Sequence, residues 1–211
     1  VSRRTIATVA AGVVGATVAA AALYPRYFRD PCLSWGATVD EAARTLPGDD
    51  LLPVADIVST RAVSIDAPPS AIWPWLAQMG PGRGGAYTYD WVENLMGLDM
   101  HSADRVLPEH QDIAVGDVHA LGSSGPRMRV AVVEPEHALV FASEDGHWVW
   151  SFTIRAEPGG TRLISRNRIR TPEASVAGRL MNTVVMEPGS LVMERKMLLG
   201  IKERAERLAA G

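Results

Sequence analysis

Five histidines, His101, His110, His119, His137 and His147, are the side chains best suited to moving protons or ligating metal near neutral pH. No two stand four apart and no His-Glu-x-x-His run occurs, so the helical spacing of a zinc site is absent. His101 stands close to Asp99 and Asp104, a set that could work as an acid–base cluster. The plainer reading of the same three is a solvated loop. Asp90 and Glu93 are three apart, which places two carboxylates on one helix face; here the plainer reading is a cap and a surface charge. The run Gly82-Arg83-Gly84-Gly85 lacks the Lys-Ser/Thr ending of a phosphate loop and leaves Arg83 to greet an acidic head group at most. Cys32 is the only cysteine, so an internal disulfide or a thiolate metal cluster is excluded. These residues assign no catalytic group, no metal and no cofactor.

A second set has the chemistry of binding. Tyr87, Tyr89 and Trp91 follow the glycine-rich run, and aromatic bodies with polar tips suit the rim of an apolar pocket. They equally suit packing of a loop onto a sheet. Trp148, Trp150 and Phe152 alternate with Val149, Ser151 and Thr153, as on one face of a strand. Glu157-Pro158-Gly159-Gly160-Thr161 predicts a hairpin turning on Gly159 and Gly160, because both glycines can take positive φ. Pairing outward from that turn sets Phe152 opposite Asn167 and Trp150 opposite Ile169. One face then carries Trp148, Trp150, Phe152, Leu163, Ser165, Asn167 and Ile169; the other carries Ser151, Thr153, Arg166, Arg168 and Arg170. The arginines read as a solvated outer face. Ser165 and Asn167 among apolar neighbours need partners, which a cavity supplies more readily than a solid core.

Around these residues the chain predicts a strand over 57–65 and a helix opened by Pro68 and Pro69. Ile72, Trp75, Leu76 and Met79 form that helix's apolar face. Pro74 requires either a kink or a start late enough to place it in the first turn. The stretch to about 117 is irregular, with a short helix over 92–96. Strands follow over 128–132, 139–142, 148–154 and 162–171. A long helix capped by Ser190 closes the chain, with Leu191, Leu198, Ile201, Ala205 and Leu208 as its stripe and Met193 and Met197 flanking it. Before the first strand, residues 25–52 read as a linker, with a short helix over 38–46 whose capping box is Thr38 and Glu41.

The 211 residues suffice for one self-supporting core. A net charge of −3, with charges spread along the chain, does not fit a nucleic-acid binder. Residues 5–23 carry no charge and lie between Arg3, Arg4 and Arg26, Arg29. About 19 residues just reach across a bilayer core. This segment is expected to be a transmembrane anchor; a secretory signal is the alternative, since Ala20, Ala21 and Ala22 are small enough for cleavage. The flanking positive charge leans toward a domain outside the cytoplasm.

The opening Ser64-Ile65-Asp66-Ala67-Pro68, followed by Ile72-Trp73-Pro74-Trp75-Leu76, resembles the SRPBCC superfamily of helix-grip proteins. That group includes START-type lipid-transfer domains and polyketide cyclase/dehydrases. Gln78-Met79-Gly80, Tyr87-Thr88-Tyr89-Asp90-Trp91, Asp104-Arg105-Val106-Leu107-Pro108-Glu109 and Glu187-Pro188-Gly189 resemble a bacterial branch of it. The resemblance implies an α+β helix-grip domain over 53–211, a curved antiparallel sheet wrapped around the C-terminal helix with two short helices after the first strand. It also implies a cavity between sheet and helix. Residues 1–24 would precede it as anchor or signal.

The expected function is membrane-tethered binding of a small hydrophobic ligand (lipid, isoprenoid or polyketide-like) by Trp73, Tyr87, Tyr89, Trp91, Trp148, Trp150, Phe152, Ser165, Asn167, Met193 and Met197. The lipid bilayer is met through residues 5–23. Two alternatives stand beside it. One is a cyclase or dehydrase using His101, Asp99 or a tyrosine; the other is an anchored interaction protein without a cavity.

Overall fold

The computed structural model describes Tyr24 and residues 27–122, 125–172 and 175–211. The uncharged run 5–23 lies outside the described residues. Among those described, no helix is long and apolar enough to cross a membrane.

Alternating apolar and polar residues build six strands: β1 Ile57–Ile65, β2 Val118–Ala120, β3 Arg127–Glu134, β4 Ala138–Ser143, β5 Trp148–Glu157 and β6 Gly160–Ile169. They form one antiparallel sheet in the order β1-β6-β5-β4-β3-β2. A register shift between Val130 and Val132 bends β3 and adds to the sheet's twist. The helices are α1 Arg29–Leu33, α2 Val39–Ala43, α3 Pro69–Ala77, α4 Asp90–Leu95, α5 Val176–Met181 and α6 Glu187–Ala210. A π turn, Asn182–Met186, joins α5 to α6. This two-layer α+β arrangement, a curved sheet gripping a long C-terminal helix, fits the helix-grip fold.

α6 lies on the sheet because Met197, Leu198, Ile201 and Ala205 recur at helical spacing and are buried. They pack with Ile65, Ile72, Leu76, Leu139, Phe152 and Leu163 into the main core. Leu208, in the last turn, is exposed. Ser190 does not cap this helix. The helix starts at Glu187 with Pro188 in its first turn, and Ser190 Oγ donates instead to the Glu187 carbonyl at 2.8 Å. Pro74 sits inside α3, which begins at Pro69.

The hairpin turns one residue earlier than the sequence predicts. Glu157 pairs with Gly160, leaving Pro158 and Gly159 as the loop. Proline's fixed φ suits the first central position of such a turn, and Gly159 takes φ +87° at the second. Gly160 belongs to the ladder, where a Cβ would stand 2.4 Å from the Ile65 carbonyl oxygen. The register therefore moves by two: Trp148 faces Ile169, Trp150 faces Asn167 and Phe152 faces Ser165. A shift of two keeps every side chain on its face.

The arginine face is covered at Arg166 and Arg168, whereas Arg170, just beyond β6, is exposed. Residues 35–56 lie across it, with Leu46 packed on Ala62 and Ile164, and Leu52 on Val140 and Val149. This segment's carbonyls need donors, and the arginines provide them. Buried Arg166 donates to the carbonyls of Glu41, Ala42 and Arg44, to Thr60 Oγ1 and to the Asp49 carboxylate at 2.6 Å. Arg168 donates to the Leu52 and Pro53 carbonyls. The Thr38–Glu41 capping box is present at the start of α2, and Glu41 also pairs with Arg162 at 2.8 Å. Trp35 O accepts from Ala62 N on the outer edge of β1, which covers that edge.

Candidate functional site

A cavity of about 700 Å³ opens between the sheet's inner face, α4 and the first turns of α6. That size and an apolar wall suit a small organic molecule. Trp148 and Trp150 stack along β5, with ring centroids 5.9 Å apart and planes within 17°. Met193 and Met197 face the cavity from α6, Ile57 and Ile169 from the β1–β6 edge, and Leu33 from α1.

Beneath the apolar wall is a polar floor with its hydrogen bonds made. β1 alternates Ile57, Ser59, Arg61, Val63 and Ile65 on the inner face, which places Arg61 directly opposite Ser165 on β6. Arg61 is fully buried and is ion-paired with Glu194 of α6. It also donates to the Cys32 carbonyl at 3.1 Å and to Ser190 Oγ at 3.0 Å. Glu194 accepts from Ser165 Oγ at 2.5 Å and from Asn167 Nδ2 at 3.2 Å. The indoles complete the network: Trp150 Nε1 donates to Ser165 Oγ at 3.0 Å and Trp148 Nε1 to Asn167 Oδ1 at 2.8 Å. Burial raises the pKa of the Glu194 carboxyl, and Arg61 and Ser165 act against that rise.

A second acid, Glu187, stands where α6 begins. Arg29 grips its carboxylate at 2.9–3.1 Å and the Tyr24 hydroxyl donates to it at 3.2 Å. Burial, then the neighbouring Cys32 and Glu187, push the Tyr24 hydroxyl's pKa upward. A third acid, Glu93 of α4, lines the cavity at only 6% exposure. Burial raises its carboxyl above the usual range; nearby Thr88 lowers it and the charge of Asp90 raises it further. Among the described residues, Glu93 Oε2 and Thr88 Oγ1 have no partner beyond each other.

Of the residues expected to bind, Trp148, Trp150, Asn167, Met193 and Met197 line the cavity. Ser165 lies one layer below, fully buried under Glu194. Phe152 is not part of the lining; it belongs to the solid core between the sheet and α6. Tyr87 is also core. Its ring packs edge-on to Trp75 at 6.0 Å, its hydroxyl donates to the Trp75 carbonyl, and Arg204 lies over its face. The backbone at Tyr87 takes φ +58°, and its neighbours Ala86 and Thr88 line the cavity instead. Tyr89 and Trp91 point outward and are exposed, because α4 turns its inner side, with Glu93, to the cavity. Trp73 is half-buried against the core from α3.

The reactive candidates lie elsewhere. His101 and Asp99 meet at 3.2 Å on the surface, while Asp104 pairs with Arg204. Arg83 donates to the carbonyls of Ala77 and His110 and so braces a loop. Asp90 binds Ser102 through backbone N and Oγ, and Glu93 is buried rather than a surface charge. Sequence reasoning missed Arg61, Glu194 and Glu187, and weighed Glu93 only as half of a carboxylate pair with Asp90. Signals for the first two existed: Arg61 has inner-face parity on its strand, and Glu194 sits on the helix stripe with Met197, Leu198 and Ile201.

No protein-family model matches the chain, and no curated protein matches it. Solved structures do align with it. An AHSA1-like protein from Aeromonas hydrophila is 20% identical, covering 72% of this chain and 93% of that one at a TM-score of 0.37. The Aha1 dimer protein from Colwellia psychrerythraea is 15% identical, covering 71% and 96% at 0.41. A polyketide-cyclase-like protein from Corynebacterium glutamicum is 15% identical, covering 72% and 88% at 0.35.

Proposed function

We propose that the chain binds a small, mainly apolar molecule (a lipid, isoprenoid or polyketide-like compound) in the cavity between the sheet and α6, beside a membrane met through residues 5–23. One observation carries this reading: a cavity of about 700 Å³ walled by Trp148, Trp150, Met193 and Met197 stands over a floor whose charges are already paired. Such a wall is costly to keep wet, and filling it gains roughly 25 cal/mol per Å² of apolar area before ordering costs. The cavity tells against an interaction protein with none. The surface position of His101 and Asp99 removes the acid–base pair on which the enzyme reading leaned.

Tethering draws support from the contacts of Tyr24. Tyr24, directly after the uncharged run, is hydrogen-bonded to Glu187 at the cavity wall. Tyr27, Phe28, Val176, Leu180, Met181, Val185 and Met186 are exposed apolar residues in these same N-terminal and α5–π-turn segments, and Met186 itself lines the cavity. An apolar ligand leaving a bilayer there would enter without crossing water.

The test is native mass spectrometry of the full chain released from lipid nanodiscs, followed by extraction of whatever is bound. A discrete apolar adduct, lost in Trp150→Ala, is the expected result. An unliganded mass that stays unshifted across a panel of lipids, isoprenoids and polyketides overturns the proposal.

A further inference from the structure

We propose that Glu93 and Thr88 form the polar anchor of the cavity and select ligands whose apolar body ends in a hydrogen-bond donor, a hydroxyl or an amine, over those ending in a carboxylate. The inference rests on the cavity reading above and adds the head group to it.

The polar side chains of the wall divide into those already satisfied and those left over. Glu194 is held by Arg61, Ser165 and Asn167. Glu187 is held by Arg29 and Tyr24. Asp145 accepts from Ser143 Oγ at 2.5 Å and from the His147 backbone N at 2.9 Å. Among the described residues, Glu93 Oε2 and Thr88 Oγ1 remain without a partner beyond each other. Of the other buried side-chain atoms left unpaired among the described residues, on Asp49, Trp75, Arg83 and Thr153, none belongs to a residue lining the cavity. A buried acceptor with no partner is costly, and a donor brought in by a ligand removes that cost.

Charge decides which head groups qualify. The wall carries four acids, Glu93, Asp145, Glu187 and Glu194. Arg61 is spent on Glu194, Ser190 and the Cys32 carbonyl, His147 stands beside Asp145, and Arg170, exposed just beyond β6, is the remaining cation of the lining. A carboxylate reaching Glu93 meets a second acid, and the buried donors of Arg61 are already taken. A hydroxyl or ammonium group meets a carboxylate and a hydroxyl with no partner beyond each other. Thr88 can also donate to the oxygen of an alcohol, which an amine does not need.

The experiment is a competition on the full chain in nanodiscs: equal amounts of dodecan-1-ol, dodecylamine and dodecanoate, with adduct masses read in one native spectrum. Alcohol or amine adducts are expected to exceed the carboxylate adduct about tenfold, the worth of one charge-assisted hydrogen bond. Glu93→Met, similar in size and without an acceptor, is expected to erase that ratio by lowering the alcohol and amine adducts. Thr88→Val, the milder change, is expected to lower it a few-fold and serves if Glu93→Met does not fold. Equal adducts in the unaltered chain, or a carboxylate excess, overturn the head-group inference and leave the cavity reading standing. A ratio untouched by the folded variants does the same. No adduct of any kind overturns the cavity reading itself, and this inference with it.

Discussion

Arg61 and Glu194 meet with side chains only 0% and 7% exposed, so each is tolerable only in the other's company. Removing one partner of such a pair costs about 3–5 kcal/mol, because a charge is left buried alone, whereas replacing both with apolar side chains is often near neutral. Arg61→Met is therefore expected to lower unfolding free energy by about 3–5 kcal/mol, and the double variant Arg61→Met, Glu194→Met to recover most of that. Chemical denaturation of the three proteins checks it; a double variant as unstable as the sum of the singles would sink the argument. The same pair marks the limit of what single residues disclosed. Ser165 and Asn167 were legible as inner-face polar residues because strand parity is local. Their partner Glu194 lies 27 residues beyond Asn167, and a lone acid on an apolar helix stripe has no meaning until the facing strand is known. Glu93 was harder still, since six residues of α4 are too few to show which side is buried.

At the scale of elements, one close approach sets the cavity wall. Gly200 lies inside α6, and a Cβ there would stand 2.7 Å from the Tyr87 carbonyl oxygen and 3.0 Å from its Cβ. The glycine lets the left-handed turn at Tyr87 sit against the helix, with Ala86 and Thr88 on the cavity wall. Alanine normally gains about 1 kcal/mol over glycine inside a helix. Here the new methyl meets backbone, so Gly200→Ala is expected to destabilise by about 1–3 kcal/mol net, read as a lowered Tm. A raised Tm would show that propensity wins and that the loop yields freely. Periodicity made β1, the main strands, α3 and α6 legible, because each repeats its pattern over two turns or several alternations. The Thr38–Glu41 cap was legible for the opposite reason, as a complete signal four residues long. The hairpin register was not, because Pro158-Gly159 and Gly159-Gly160 are both sound turns; only the contact of Gly160 with Ile65 decides between them. β2, three residues long, carries no period to read.

The whole molecule has two differently finished sheet faces, and the difference predicts how a ligand is felt. On the outer face, Arg166 and Arg168 tie residues 35–56 down through carbonyls, so that layer is complete without a ligand. Arginine read from sequence as solvated was in fact the donor set for a covering segment, which strand alternation alone cannot distinguish from an exposed face. On the inner face, α4, the π turn and the start of α6 frame a cavity, and Glu93, Met186, Glu187, Ser190 and Met193 look into it. A ligand that binds only the folded chain stabilises it by mass action, about 2.7 kcal/mol at a hundred times its Kd. Local opening is suppressed most where the ligand touches. Hydrogen exchange of the full chain in nanodiscs, with and without saturating dodecan-1-ol, is therefore expected to slow in α4, the π turn and the first two turns of α6. Residues 35–56 should exchange almost unchanged, since their hydrogen bonds do not depend on the cavity. Slowing spread evenly over both faces would mean that exchange runs through global unfolding, with no local opening for the alcohol to suppress. Slowing confined to 35–56 would place binding on the outer face and end the cavity reading.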